Sequence, residues 1–155
     1  MALDETIGLL ARAPVVGLLE RDGLRLLAFA ADSRRLRKGE TLFRRGDRSD
    51  GGYVVMSGRI ALRRASDADA EPDVVAGPGS LIGQVALFVR QQRAANAMAL
   101  ETTELLRISP TLMRRVLAEF PAAASAIHAA MAQDLTELNA DLEKVRQQML
   151  KIDEG

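Results

Sequence analysis

One stretch of the chain decides its fold: residues 79–96, which read GSLIGQVALFVRQQRAAN. Residues 81–88, which include Gly83, can form one turn of helix led by a glycine, and such a turn presents free backbone N–H groups and a positive dipole end. Arg93 follows about ten residues later, far enough for the chain to turn back towards that helix end. Its guanidinium can pair with two phosphate oxygens at once. The stretch therefore predicts a site for one phosphodiester, with a solvated or ion-paired surface arginine as the alternative.

Short strands separated by turns flank this stretch on both sides. Apolar and polar residues alternate in most of them, and glycines stand between them at short intervals. Ile60 and Leu62 are expected to face inward, whereas Arg63 and Arg64 are expected on a solvated face. Even spacing of short strands is typical of a barrel or a sandwich. The predicted strands are 41–44, 53–56, 59–63, 74–75, 95–100 and 103–108.

Helices are predicted outside the strand region. Residues 3–12 carry leucine and isoleucine at helical spacing, and a second short helix follows with Asp22 as its expected cap. Ser109 and Pro110 form a helix-start signal, since serine caps a helix and proline suits its first position. Pro121 is expected to start the next helix.

The last segment of the chain has the most regular pattern. Seven apolar residues succeed one another at alternating steps of four and three, which is a heptad seam typical of a coiled coil. A narrow seam of this length favours a homodimer, and the alternative is a long helix packed on its own domain. The seam residues are Met131, Leu135, Leu138, Leu142, Val145, Met149 and Ile152.

Composition excludes several classes of function. The 155 residues contain no cysteine, which rules out disulfides and thiolate chemistry, and their formal net charge is zero. The N-terminus lacks the pattern of a signal peptide, and no uncharged run approaches the roughly 20 residues of a membrane helix. His128 is the only histidine and is expected on a helix surface. We therefore expect a cytoplasmic protein with no membrane span, no metal site and no catalytic motif.

Taken in order, these motifs resemble the cyclic-nucleotide-binding domain family, especially the Crp/Fnr-type sensor domains of bacteria. The resemblance runs from about Leu24 to Val145. It implies an α+β fold, a double-stranded, jelly-roll-like β-roll flanked by N-terminal helices and a long C-terminal helix. The implied division is 1–32 for the first helices, 33–109 for the roll with its phosphate-binding cassette at 79–96, and 110–155 for the last helices. The motifs that carry it are 38–43 with 46–47, 53–60, 79–87 and 92–95.

The resemblance also implies a ligand-binding site inside the cassette. The candidate ligand is a cyclic nucleotide, cyclic AMP or cyclic GMP, and no cofactor is firmly assigned. Gln84 departs from the glutamate that the family usually has, which weakens a bond to the ribose hydroxyl by about 1 kcal/mol. Ala94 stands where a serine or threonine often touches the phosphate. The implied site residues are Ile82, Gly83, Gln84, Val85, Ala86, Arg93, Ala94 and Ala95.

Two functions follow from this sequence. The first is a stand-alone regulatory sensor module, not an enzyme, that binds a cyclic nucleotide or related phosphate ligand and signals through its C-terminal helix and dimer. The second is a degenerate form of the same fold that acts as a ligand-independent interaction or assembly subunit, as Gln84 and Ala94 suggest. No helix-turn-helix pattern follows the last helix, so we expect no direct DNA binding and a protein partner that receives the signal.

Overall fold

The computed structural model describes residues 2–67 and 69–132 of the chain. Helices lie at both ends of this part, and eight strands lie between them. The helices are α1 (Leu3–Arg12), α2 (Arg21–Ala30), α3 (Pro110–Glu119) and α4 (121–132). The strands are β1 (Asp32–Leu36), β2 (Thr41–Phe43), β3 (Gly52–Ser57), β4 (Ile60–Arg63), β5 (Val74–Ala76), β6 (Leu81–Ile82), β7 (Asn96–Ala99) and β8 (Thr103–Ile108).

The strands form two four-stranded antiparallel sheets, and this confirms the predicted α+β fold with a jelly-roll-like β-roll. One sheet has the order β1-β8-β3-β6 and the other β2-β7-β4-β5. Most strands that are neighbours along the chain, such as β3 and β4, lie in different sheets, so the chain passes back and forth between the two layers; β4 and β5 are the exception and pair with each other. This arrangement leaves an interior between the sheets and an outer face on each of them.

Strand β3 separates the two hydrophobic cores of the molecule. Because successive side chains of a strand point to opposite faces, Tyr53 and Val55 enter the roll, whereas Val54 and Met56 face the helices. All four are almost fully buried, because the strand is covered on both sides. We call the two clusters the roll core and the helical core. The helical core also contains Leu87, which links the cassette to α1, α2 and α3.

The helix ends follow the sequence closely, with one correction. Helix α1 occupies Leu3–Arg12 as predicted, but α2 begins at Arg21, so that Asp22 lies in its first turn and Glu20 stands at the cap position. A carboxylate in the first turn still complements the helix dipole. At α3, the Ser109 hydroxyl accepts a hydrogen bond from the Leu112 N–H at 3.1 Å, which confirms the predicted cap.

Two local expectations about the strand region were wrong. Leu81 and Ile82 form β6 and pair with Val54 and Tyr53 of β3, so the helical turn that we predicted from residue 81 is confined to Val85–Leu87. Arg63 is buried rather than solvated, because the chain that follows β4 folds back over it.

The coiled-coil prediction lies mostly outside the described residues. Of the seven seam residues, Met131 is the one that the structure describes; it lies in α4, is half-buried and packs on the helical core. Leu135, Leu138, Leu142, Val145, Met149 and Ile152 fall in 133–155, which the structure does not describe. Within the described ranges, no helix has the length and apolar character needed to span a bilayer.

Candidate ligand-binding site

The end of the cassette is held against the loop that precedes β3. The Arg93 N–H donates to the Asp47 carbonyl at 2.7 Å, and the Gly46 N–H donates to the Arg93 carbonyl at 2.8 Å. Two residues before Arg93, the Gln91 carbonyl accepts a hydrogen bond from the Ser49 N–H, and the Gln91 N–H donates to the Ser49 hydroxyl. These bonds fix the backbone of residue 93 on both sides. Its side chain is thereby directed into the roll.

Arg93 lies under aromatic rings. Its guanidinium carbon is 4.2 Å from the centre of the Phe43 ring and 5.6 Å from that of Tyr53. Only 7% of the residue is exposed, although arginine is rarely buried without a partner. A desolvated guanidinium over an aromatic face gains about 2 kcal/mol from the ring quadrupole. Arg93 is therefore not a solvated surface arginine, although it forms the ion pair that the predicted alternative included, with Asp50 at 3.3 Å.

The hydrogen bonds of Arg93 are incomplete. Its Nη2 donates to the Gly51 carbonyl at 2.7 Å and to Asp50 Oδ1 at 3.3 Å. Its Nε is buried and has no hydrogen-bond partner. Burial lowers the pKa of the guanidinium, and the nearby Tyr53 and Asp50 oppose that shift. Arginine remains protonated at neutral pH, so the site holds a desolvated positive charge with a buried donor, Nε, that has no hydrogen-bond partner.

The start of the cassette lies directly against this guanidinium. Gly83 has a φ of 83°, and a Cβ built on it would lie 2.8 Å from Arg93 Nη1. A side chain at this position would therefore both strain the backbone and collide with the arginine. The turn Val85–Leu87 that follows is a 3-10 helix of three residues, too short for much of a dipole. The positive charge of the site thus comes mainly from Arg93.

The remaining predicted site residues divide by exposure. Ile82 and Ala86 are buried, Val85 and Ala94 are exposed, and Gln84 and Ala95 are half-buried. Ile82 contributes to the roll core beside Tyr53, while the methyl group of Ala94 adds no hydrogen-bonding group. The structure thus brings together Gly83 and Arg93.

An acidic residue at this site was missed by the sequence analysis. Asp50 lies within 3.6 Å of nitrogens of Arg34, Arg93 and Arg107, and it accepts a hydrogen bond from the Tyr53 hydroxyl at 3.1 Å. Burial and the charge of Asp50 raise the pKa of Tyr53. A hydrogen bond to Asp32 raises the pKa of Arg107. No local pattern marks Asp50, because its partners come from β1, β8 and the cassette.

A metal centre has no candidate ligands in the part of the chain described here. No group of three or more histidine, aspartate or glutamate side chains is arranged to hold an ion there. His128 is exposed on α4, as expected. The buried Arg93 guanidinium gives the site a positive charge that can attract an anion.

A buried arginine thus faces a glycine-led turn inside a β-roll. The profile of the family described as "Cyclic nucleotide-binding domain" matches residues 33–120. The chain belongs to this family. Members of the family are regulatory domains.

Several known proteins resemble the chain. The N-terminal domain of a transcriptional regulator from Streptomyces coelicolor superposes with a TM-score of 0.76 and 32% identity, covering 84% of this chain and 92% of that one. The cyclic AMP receptor protein of Thermus thermophilus is 32% identical over 119 residues, which are 76% of this chain and 55% of that protein.

A third relative resembles the chain over only a small part of its own length. The human patatin-like phospholipase domain-containing protein 6 is 33% identical over 102 residues, which are 63% of this chain and 7% of that protein. The match is confined to the cyclic nucleotide-binding region. The chain therefore spans about half of one of these curated relatives and a small fraction of the other.

Proposed function

We propose that this chain is a regulatory sensor module that binds a cyclic nucleotide or a related phosphate ligand at Arg93 and Gly83. The observation that carries the proposal is the buried guanidinium whose Nε has no partner, placed against the first turn of the cassette. A desolvated cation with an unused donor gains more from an anion than a solvated one does. The phosphodiester of cyclic AMP or cyclic GMP carries the single negative charge that one guanidinium can neutralise.

Asp50 would act as the counter-ion of Arg93 when no ligand is bound. Its carboxylate is nearly half exposed and has two other arginine partners, so it can release Arg93 at small cost. The ligand phosphate would then take over the guanidinium. Gln84 offers a carbonyl acceptor in place of the usual carboxylate, which favours a modest rather than a tight affinity for the ribose hydroxyl.

The signal would pass from the cassette to the helices. Leu87 is the last residue of the turn that follows Gly83, and it is fully buried in the helical core. A shift of the turn on ligand binding would therefore displace side chains of α2 and α3, because packed cores respond in discrete steps. We propose that the seam from Met131 to Ile152 makes the chain a homodimer and carries this shift to a protein partner. In this proposal the chain works in the cytoplasm, catalyses no reaction and does not contact DNA.

Calorimetric titration with cyclic AMP, cyclic GMP and cyclic di-GMP tests the ligand. We expect saturable binding of a cyclic mononucleotide and a loss of about tenfold or more in Arg93→Gln. Arg25→Gln, on the exposed face of α2, removes the same charge away from the site and should bind normally. Absence of heat with every nucleotide, or equal binding by Arg93→Gln, would refute the proposal.

The second candidate function is a degenerate domain that assembles without a ligand. It is favoured by one observation: Arg93 Nη2 is already bonded to Asp50 and to the Gly51 carbonyl. Asp50→Asn separates the two candidates. If the site is functional, removing the competing carboxylate should keep or strengthen nucleotide binding. If the site is degenerate, Asp50→Asn should bind no nucleotide while the oligomeric state stays unchanged.

A further inference from the structure

We propose a second ligand site, for a small molecule that carries a diphosphate, on the outer face of the β2-β7-β4-β5 sheet. A cavity of about 660 Å³ lies there, which is within the range of small-molecule pockets. It is an open cavity lined by residues at or next to β2, β4 and β7 and by the loop that follows β4. Its polar lining residues are Thr41, Arg44, Arg45, Arg63, Ser66, Asp67 and Asn96.

Arg63 is the residue that points to a ligand. Only 9% of it is exposed, and its Nε donates to the Ala70 carbonyl at 2.7 Å. Among the residues that the structure describes, no carboxylate forms an ion pair with it. Arg93, the other buried arginine in that part of the chain, has Asp50 beside it. A buried charge without a counter-ion is costly, so Arg63 would gain strongly from an anion in the cavity.

Two further arginines line the same cavity. Arg44 and Arg45 directly follow β2, and neither forms an ion pair within the described ranges. The Arg45 N–H donates to Asn96 Oδ1 at 2.8 Å, and its Nη1 donates to the Arg64 carbonyl at 3.2 Å. The Asn96 side chain in turn donates to the Ala65 carbonyl. These hydrogen bonds connect the segment after β2, β7 and the loop after β4 along one side of the cavity.

This cavity is separate from the cassette site. Strand alternation puts Arg63 and its register partner Asn96 on one face of the sheet, with Thr41 and Met98. Leu62 lies on the opposite face and packs on the roll core. Phe43, which covers Arg93, packs there too. The two sites therefore lie on opposite faces of one sheet.

The lining defines the chemistry of the ligand. The lining of the cavity contains three arginines, Arg44, Arg45 and Arg63, and one carboxylate, Asp67. This excess of positive charge favours an anion with more than one negative charge. Arginine binds phosphate oxygens in its planar fork, and two adjacent phosphates can engage several guanidinium groups at once. Ala65 and Met98 supply apolar contact for an organic group. These features favour an organic diphosphate over inorganic phosphate.

Calorimetric titration with ADP and with inorganic pyrophosphate tests the site. The experiment uses the Arg93→Gln chain, so that binding at the cassette cannot contribute and the two proposals fail independently. We expect saturable binding of both probes, with ADP the tighter. Adding Arg63→Gln should weaken ADP binding about tenfold or more. If Arg63→Gln lowers the melting temperature sharply, the exposed pair Arg44→Gln and Arg45→Gln gives the same test without opening the core.

The matched control is Arg64→Gln. Its side chain is exposed, is adjacent in sequence to Arg63 and does not line the cavity. It should bind ADP as the parent chain does. Equal losses in the Arg63 and Arg64 variants would show general charge attraction and would overturn the proposal, as would the absence of saturable heat with either probe. If pyrophosphate bound more tightly than ADP, the proposal that the ligand carries an organic group would be overturned.

Discussion

The guanidinium carbon of Arg93 lies 4.2 Å from the centre of the Phe43 ring, inside the roll. The contact joins the end of the cassette to β2, which lies in the other half of the strand region. The contact allows the positive charge of Arg93 to be buried, although its carboxylate partner, Asp50, is shared with other arginines. The aromatic face replaces part of the solvation that the charge loses on burial. The position of the candidate ligand site therefore depends on an apolar side chain as well as on the arginine.

A double-mutant cycle measures this contact. Phe43→Leu keeps an apolar side chain but removes the aromatic face, and we expect it to lower the free energy of unfolding by about 1–2 kcal/mol. In the Arg93→Met background the same substitution should cost less, since the charge is gone. Urea denaturation followed by circular dichroism gives the free energies of unfolding of the parent chain, the two single variants and the double variant. Phe120→Leu, on the helical core, is the control and should cost the same in both backgrounds; additive effects at Phe43 would contradict the prediction.

Tyr53 provides a direct readout of the site, because it is the only tyrosine and the chain has no tryptophan. Burial and Asp50 raise its pKa, so its tyrosinate absorbance should appear above the ordinary pH of about 10 in the native protein. In denaturant the transition should return to about pH 10. The folded state then keeps the Tyr53 proton up to a higher pH than the unfolded state does. The free energy of unfolding should therefore fall as pH rises through that window.

Spectrophotometric titration at alkaline pH, with and without urea, checks both statements. Tyr53→Phe removes the titrating hydroxyl, so the fall in the free energy of unfolding that this hydroxyl causes at alkaline pH should disappear. Coincident native and denatured titration curves would contradict the burial of the Tyr53 hydroxyl.

Gly83→Ala tests the close approach between the cassette and Arg93. The substitution places a methyl group within 2.8 Å of Arg93 Nη1 and also strains a backbone with φ of 83°. Gly39→Ala is a matched control, because φ is 86° there and nothing lies within 4 Å of the added Cβ. Both variants should lose about 1–2 kcal/mol to backbone strain.

The contact with Arg93 should add a further cost at Gly83 only. We also expect Gly83→Ala to weaken cyclic nucleotide binding, while Gly39→Ala binds normally. Urea denaturation and calorimetry separate the two effects. Equal losses of stability in the two variants would mean that the guanidinium does not restrict this position.

The proposed dimer can be tested through the seam. Leu138→Glu with Leu142→Glu puts two charges at positions predicted to be buried, and sedimentation velocity should then show a monomer. Gln133→Glu with Gln147→Glu adds the same charge between seam positions and should leave the dimer intact. A monomeric parent chain, or a dimer that survives the leucine substitutions, would contradict the heptad interpretation.

Several parts of the fold could be predicted because they are encoded locally. Ser109 and Pro110 mark the start of α3 through a cap and a fixed φ, both of which depend on adjacent residues. The six predicted strands appear at their predicted positions within one or two residues, whereas β1 and β6 were not predicted. The turn after Gly83 is also local, although pairing with β3 makes Leu81 and Ile82 a strand instead of part of the helix.

Other parts depended on which strands pair. Asp50 and Arg93 are 43 residues apart and meet only because the end of the cassette bonds to the loop before β3. Arg63 reads as a solvated strand residue, yet it is buried because the chain after β4 covers it. The amino-acid sequence by itself determined the order of elements, the turn at Gly83 and the helix starts, since each arises from interactions between near neighbours. The tertiary structure alone decided the surroundings of Arg93 and Arg63, because sheet register and strand alternation bring distant residues onto one face.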